Sequence, residues 1–193
     1  IAGNAALAAK AIRQAKAAGA HIVALPEMFL TGYPTNDLLF EEGFVEENER
    51  VLREIVLPET TDIAAVVGFV KMGDPSRGGY DGPEMFNCAA VLQDGRHIAT
   101  VKKTLLPNYD VFDEKRYFRP GRPDEISPVE LTFGDRAFKI GVQICKDLWD
   151  EDYSTKVTSE LRRKGADFFI NISASPFWVG KGADREDLVR EKV

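Results

Sequence analysis

This sequence contains little cysteine and little histidine, and it has no excess of positive charge. Its 193 residues include two cysteines and two histidines, and Asp and Glu outnumber Lys and Arg by 31 to 25. Two cysteines in separate apolar stretches argue against a secreted disulfide framework and favour a reducing compartment, so a cytoplasmic location is expected. The net charge of −6 does not suit a phosphate-tracking surface, and no nucleic-acid partner is expected.

Long hydrophobic runs and nucleotide-binding loops are also missing. No apolar run reaches the roughly 18 residues needed to cross a bilayer, and the first residues show no signal-peptide pattern, so no membrane partner is expected. The chain has no Gly-x-Gly-x-x-Gly, no Walker-type loop and no Ser-Gly-Gly-x-Asp-Ser loop. We therefore expect this chain alone to bind no ATP.

The residues that are present predict one α/β domain over residues 1–193. Hydrophobic residues make up 44% of the chain, which is enough for a sizeable core. Asn4 and Gly19 predict the start and end of a first helix, and Asp94-Gly95 predicts a hairpin turn. The loops 73–83 and 105–128 are expected to be exposed and functional, respectively. Periodicity predicts helices over 5–18, 37–57, 147–164 and from 181 onward, and strands over 21–25, 63–70, 85–92, 97–101, 129–133, 138–144 and 168–172.

Three polar or reactive side chains follow predicted buried strands: Glu27, Cys145 and Ser175. The ends of strands are where open α/β sheets gather ligands. Each residue also has a simpler interpretation when taken singly. A cysteine at the end of an apolar strand is usually core packing, as we expect for Cys88, and a glutamate after Leu-Pro is usually a solvated carboxylate or a helix cap.

Taken together with Lys103, these residues favour nucleophilic catalysis. A thiol nucleophile needs a cation that favours the thiolate, a base that moves its proton and a donor for the oxyanion. Glu27, Lys103 and Cys145 supply these groups. The two histidines are poor candidates, because His21 opens a strand and His97 follows a hairpin turn.

Five segments resemble, in order, the motifs of the nitrilase superfamily. The resemblance is strongest to the glutaminase domain of the glutamine-dependent NAD synthetases, and it runs over nearly the whole chain. It rests on Leu25–Pro34, Lys103–Tyr109, Phe112–Gly121, Gly141–Trp149 and Asn171–Phe177.

The resemblance implies a fold and a set of roles. The fold is a four-layer α/β/β/α sandwich, expected to be incomplete at both ends in this chain, which would be a carbon-nitrogen hydrolase domain within a longer protein. Its catalytic residues would be Glu27 as general base and acid, Lys103 as the triad lysine, Cys145 as nucleophile and Glu114 as a supporting glutamate. The residues that grip glutamine would be Tyr109, Ser175 and Lys181, and no metal is implied.

The resemblance also implies partners. Ammonia from glutamine would pass to an ATP-dependent synthetase domain of the same parent chain, so ATP and deamido-NAD belong to that other domain and no cofactor is expected in this one. A homo-oligomer is expected. Lys146 departs from the family pattern, which often has an acidic residue after the cysteine; its ammonium either lowers the thiol pKa or points away.

Two other functions stay open from the sequence. One is a stand-alone nitrilase-family amidase or carbamoylase that acts on another small amide. The other is a non-catalytic assembly module that keeps the same fold.

Overall fold

The computed structural model describes residues 1–74, 84–109 and 112–192, which form two β-sheets flanked by helices. The α-helices are α1 (Ala2–Ala17), α2 (Phe44–Val51), α3 (Glu114–Tyr117), α4 (Val157–Arg163) and α5 (Lys181–Lys192). The strands are β1 (Ile22–Ala24), β2 (Ala64–Met72), β3 (Met85–Gln93), β4 (Arg96–Lys102), β5 (Val129–Phe133), β6 (Arg136–Ile144) and β7 (Phe168–Ile172).

Each sheet combines a hairpin with one parallel pair. The first sheet has the order β1-β2-β3-β4, with β1 parallel to β2 and the other pairs antiparallel. The second has the order β5-β6-β7, with β6 parallel to β7. β1 runs parallel to β2, and β6 runs parallel to β7. Parallel neighbours have their carboxyl ends at the same edge of a sheet, and polar side chains that bind ligands collect at such edges.

The helices and sheets stack in four layers. Ala65, Val67 and Phe69 of β2 pack with α1 and the helical segment 44–60, whereas Ala64 and Val66 pack against the second sheet. This alternation follows from the two-residue period of a strand. On the far side, α4 covers the second sheet through Val157 and Leu161. The layer order is the α/β/β/α order that the resemblance implies.

The first helix begins earlier than predicted. It starts at Ala2, so the prediction of Asn4 as its N-cap is wrong: Asn4 lies inside the helix, and its Nδ2 donates to the Leu30 carbonyl at 3.2 Å. The predicted end is confirmed, because Gly19 has a φ of 79° and the Ala20 N–H donates to the Ala15 carbonyl at 3.0 Å, as in a Schellman motif.

The predicted helical region 37–57 is present with one break, whereas the predicted helix 147–164 is wrong as drawn. The first is a 3₁₀ turn (Asn36–Phe40) followed, after Gly43 at a φ of 78°, by α2 and its continuation as a π-helical turn (Leu52–Val56) and a 3₁₀ turn (Leu57–Thr60). Only Val157–Arg163 of the predicted helix 147–164 is α-helical. Ahead of it, Lys156 Nζ donates to the carbonyls of Asp150 and Glu151 at 2.6 and 2.7 Å, which fixes a turn where a helix was expected.

The predicted strands and both hairpins are present with small shifts at their ends. The functional loop 105–128 contains α3 and a 3₁₀ turn at Pro123–Glu125. The predicted exposed loop 73–83 lies outside the described residues except for its first two positions.

Gly68 of β2 lies directly against the chain at Glu27. A Cβ at Gly68 would stand 2.2 Å from the Pro26 carbonyl oxygen and 2.4 Å from the Met28 nitrogen. Those are backbone atoms, so they do not move aside as a flexible side chain does. We predict that Gly68→Ala lowers the free energy of unfolding by about 1–3 kcal/mol, measured by urea denaturation.

Gly3 of α1 is the matched control, because a Cβ there meets no atom within 4 Å. Gly3→Ala should keep the stability or raise it by up to about 1 kcal/mol, since alanine is the better helix former. Equal stability of the two variants would contradict the close approach at Gly68.

Candidate active site

Lys103 lies at the centre of a buried polar cluster. It follows β4, and its main-chain N–H donates to the Asn87 carbonyl at 2.8 Å. Its Nζ donates to Glu27 Oε1 at 2.6 Å and to Glu114 Oε1 at 2.7 Å. The side chains of Lys103, Glu27 and Glu114 are 0%, 1% and 5% exposed, so water does not screen these contacts. Two carboxylates therefore fix the position of one ammonium.

The Glu27 carboxylate joins three separate segments. The residue follows β1, and the Leu25 N–H still pairs with Val66 at 2.8 Å before the chain turns. Besides Lys103, Glu27 Oε1 accepts a hydrogen bond from Asn87 Nδ2 at 2.8 Å. Glu27 Oε2 accepts one from the Ala174 main-chain N–H at 3.1 Å, in the segment after β7. The carboxylate is therefore held in one orientation.

Cys145 occupies a sharp corner after β6. It has a φ of 46°, in the left-handed region that non-glycine residues seldom adopt, and a 3₁₀ turn begins there. The residue is 7% exposed. Its carbonyl accepts a hydrogen bond from Asn171 Nδ2 at 3.4 Å, and the Ser173 side chain lies near its thiol. Unusual backbone conformations of this kind cluster at functional sites.

Burial and charge together set the protonation of the lysine and its carboxylates. Burial lowers the pKa of Lys103, but Glu27 and Glu114 outweigh it and hold that pKa above its usual value, so the amine stays charged. Burial raises the pKa of Glu114, and Lys103 opposes the rise. Tyr33 donates to Glu114 Oε1 at 3.0 Å.

The thiol is held in its neutral form. Burial and then the Glu27 charge raise the pKa of Cys145 to about 11, and Lys103 and Ser173 lower it only in part. The lysine acts in the direction expected from the sequence, but two carboxylates already share its charge. At neutral pH the sulfur therefore carries a proton, and its reaction as a nucleophile needs a base.

The three predicted substrate contacts are placed differently from one another. Ser175 Oγ accepts hydrogen bonds from Lys181 Nζ at 3.0 Å and from an Arg185 Nη at 3.1 Å. Burial and then the Arg185 charge lower the pKa of Lys181, and the Cys145 charge opposes this shift, so Lys181 lies within electrostatic reach of the thiol. Tyr109 is 52% exposed and packs on the ring of Phe112 at 5.8 Å between centroids.

Lys146 places its ammonium over two tyrosine rings. Its Nζ lies 5.2 Å from the ring centroid of Tyr109 and 5.4 Å from that of Tyr153. Both distances are within the range of cation–π attraction. The residue next to the thiol therefore orders one of the predicted substrate contacts.

Sequence reasoning missed several groups that touch the cluster. Asn87 is a buried amide in the otherwise apolar strand β3, which was a signal that a polar partner lies nearby. Tyr33 falls within one of the resembling segments but carries no signal of its own. Ser173 and Arg185 contact Cys145 and Ser175 only because the chain after β7 folds back over the site.

The part of the chain that the structure describes contains neither a metal-binding cluster nor a membrane-spanning helix. Among residues 1–74, 84–109 and 112–192, no group of three or more His, Cys, Asp and Glu side chains is arranged to hold a metal ion. No helix in those ranges has the length and apolar character that crossing a membrane requires.

Together, the fold and the site have the form of a nitrilase-type sandwich with a Glu–Lys–Cys cluster at its strand ends. The sequence model of the carbon-nitrogen hydrolase family matches residues 1–191. The chain therefore belongs to the carbon-nitrogen hydrolase family, and the predicted family, fold class and enzymatic nature are confirmed.

Several named proteins and solved structures are similar to this chain over nearly its whole length. The chain is 34% identical over 192 residues to a glutamine-dependent NAD(+) synthetase of Thermotoga maritima, covering 99% of this chain and 30% of that protein. A solved glutamine-dependent NAD+ synthetase from Acinetobacter baumannii is 32% identical, with a TM-score of 0.78 and coverage of 98% and 32%. An amidase from Nesterenkonia sp., at 21% identity and a TM-score of 0.74, shares the fold. The chain spans about a third of the synthetases it matches.

Removing the lysine should destabilise the fold strongly. Lys103→Met leaves two buried carboxylates without their shared cation, so we predict a loss of about 3–5 kcal/mol in unfolding free energy. Burial already raises the pKa of Glu114 and Lys103 opposes the rise, so without the lysine that pKa lies further above its unfolded value and the loss is greater at pH 8 than at pH 5. Urea denaturation at both pH values measures the loss.

Lys102 provides the neighbouring control. Its Nζ pairs with Glu125 at 3.0 Å on the surface, with side chains 29% and 34% exposed. Lys102→Met should cost about 1 kcal/mol or less. A similar loss for both variants would show that the buried cluster contributes nothing special.

The charge of Glu27 should govern the reactivity of the thiol. Glu27→Gln removes the nearby negative charge that raises the Cys145 pKa, so the pH profile of Cys145 alkylation by iodoacetamide should shift to lower pH. Glu125→Gln, at the exposed ion pair with Lys102, should leave the profile in place. An unshifted or upward-shifted Glu27→Gln profile would rule out this electrostatic control.

Proposed function

We propose that this chain is a glutamine-hydrolysing amidase domain whose ammonia feeds NAD synthesis from deamido-NAD. The observation behind this proposal is the buried cluster, in which Lys103 Nζ donates hydrogen bonds to both Glu27 and Glu114. Cys145, whose thiol is neutral, lies beside this cluster. Glutamine as the substrate is supported by the relatives, which are glutamine-dependent NAD synthetases that this chain matches over about a third of their length. They do not favour a stand-alone amidase or a non-catalytic module.

Glu27 acts first as the base in this proposal. The Cys145 thiol is protonated at neutral pH, so its attack on the side-chain carboxamide of glutamine is coupled to transfer of the proton to Glu27. Asn87 and the Ala174 N–H keep that carboxylate oriented. Lys103 stays charged throughout, and with a backbone N–H it stabilises the tetrahedral oxyanion.

Glu27 acts next as the acid. It returns the proton to the departing ammonia, which leaves a thioester on Cys145. Water activated by the same carboxylate then hydrolyses the thioester and releases glutamate. Glu114 supports these steps by holding Lys103 from its other side, at 2.7 Å.

In this proposal, Ser175, Lys181 and Tyr109 recognise glutamine. Ser175 and Lys181 form one hydrogen-bonded pair, with Arg185 adding a second cation, and these groups suit the carboxylate end of an amino acid. Tyr109 presents an exposed ring over Lys146. Because the Tyr109 ring lies at the surface, it is free to contact a substrate that enters the site.

The wider setting belongs to the same proposal. A synthetase domain in the parent chain binds ATP and deamido-NAD and consumes the ammonia, and the protein works in the cytoplasm as a homo-oligomer. The names of the relatives support the synthetase partner domain.

Cysteine replacement tests the nucleophile. In the full-length protein, Cys145→Ala should abolish release of glutamate from glutamine, whereas Cys88→Ala should keep it, because Cys88 is fully buried in the core beneath α1. Undiminished turnover by Cys145→Ala would refute the assignment. Faster release of ammonia from another small amide than from glutamine would instead favour the amidase interpretation.

A further inference from the structure

Asp147 is a buried carboxylate that the mechanism above does not use. It lies two residues after Cys145 and is 2% exposed. Its Oδ1 accepts the main-chain N–H groups of Thr104 at 3.0 Å and Leu105 at 2.8 Å. Its Oδ2 accepts the N–H of Ile144 at 3.1 Å. The side chain thus bonds the residues that follow Lys103 and the residue that precedes Cys145.

These contacts connect the two sheets at the site. Lys103 leaves the first sheet at the end of β4, and Ile144 is the last residue of β6 in the second sheet. Among the described residues, no hydrogen bond joins the side chains of Lys103 and Cys145 directly. Asp147 therefore supplies a direct hydrogen-bonded tie between the two catalytic segments.

The hydrogen bonds of Asp147 are suited to fixing the distance between the segment after Lys103 and the segment before Cys145. Three N–H donors converge on one small carboxylate, which leaves it little rotational freedom. The Cys145 corner that it braces has a φ of 46° and needs surrounding contacts to persist. A shift of about 1 Å between reacting groups is enough to cost roughly a hundredfold in rate.

We infer that Asp147 is a positioning residue that sets the distance between the Lys103 ammonium and the Cys145 thiol. Its described hydrogen bonds go to main-chain N–H groups, so it positions the two segments through their backbone. The inference rests on the proposed glutamine hydrolysis for its kinetic readout, but its effect on the thiol is measurable without any substrate.

The test compares graded variants of Asp147 in the full-length protein. Asp147→Asn keeps an acceptor for Thr104 and Leu105 and turns an amide donor toward the Ile144 N–H, whereas Asp147→Ala removes all three bonds. We expect kcat for glutamine to fall about 10–100-fold in Asn and further in Ala, with KM changed by less than about threefold. The alkylation profile of Cys145 should shift to higher pH, because the lysine no longer stands as close.

Two internal controls separate positioning from loss of fold. Cys88 is 0% exposed, so its alkylation reports unfolding and should stay blocked in Asp147→Asn. Gln93→Ala removes another buried polar tie between the two sheets, the hydrogen bonds of Gln93 in β3 with the main chain of Thr132 in β5, six residues along β3 from Asn87. That variant should melt at a lower temperature with kcat per folded molecule unchanged.

The outcomes are distinguishable. A folded Asp147→Asn protein with normal kcat and a normal Cys145 profile overturns the inference, as does a loss of kcat that merely tracks Cys88 exposure. Failure of the wild-type protein to hydrolyse glutamine would overturn the proposed substrate alone. The Cys145 profile would then still decide the role of Asp147.

Discussion

The sharing of one buried ammonium between two carboxylates is the interaction on which the site depends. Lys103 Nζ reaches Glu27 and Glu114 at 2.6 and 2.7 Å with almost no exposure. Removing such ions from water is costly, and the cost is recovered only where the geometry is good and the remaining lone pairs are bonded. Asn87, the Ala174 N–H and Tyr33 provide three such bonds, although the buried Glu114 Oε2 and Asn87 Oδ1 have no hydrogen-bond partner among the described residues. The cluster therefore fixes three chain segments as well as three side chains.

The sandwich delivers these groups from both of its sheets. Glu27 and Lys103 come from the ends of β1 and β4 in the first sheet, while Cys145 and Ala174 follow β6 and β7 in the second. Gly68 permits the Glu27 segment to lie against β2 without a side chain between them. The active arrangement is therefore a property of how the two sheets pack, and small changes in the core between them reach the thiol.

The sequence predicted the strands better than the helices. Strand patterns such as 63–70 and 129–133 have a short period and clear turn residues, and the structure follows them closely. The break after Phe40 arises at Gly43, and the break after Leu148 arises where Lys156 bonds the carbonyls of Asp150 and Glu151, a side-chain contact that hydrophobic periodicity does not reveal. The family resemblance gave Glu27, Lys103 and Cys145, whereas Asn87, Ser173 and Asp147 needed coordinates, because their partners lie far along the chain.

In the proposed mechanism, burial and the charge of Glu27 explain why the thiol loses its proton late. A resting thiolate would be a buried anion beside Glu27, and burial first and the Glu27 charge second raise the pKa of Cys145 to about 11. The proton therefore moves to Glu27 as the sulfur bonds to carbon, when the new negative charge passes to the substrate oxygen and one carboxylate becomes neutral. Lys103 is then free to favour the oxyanion, because the second carboxylate alone no longer saturates it.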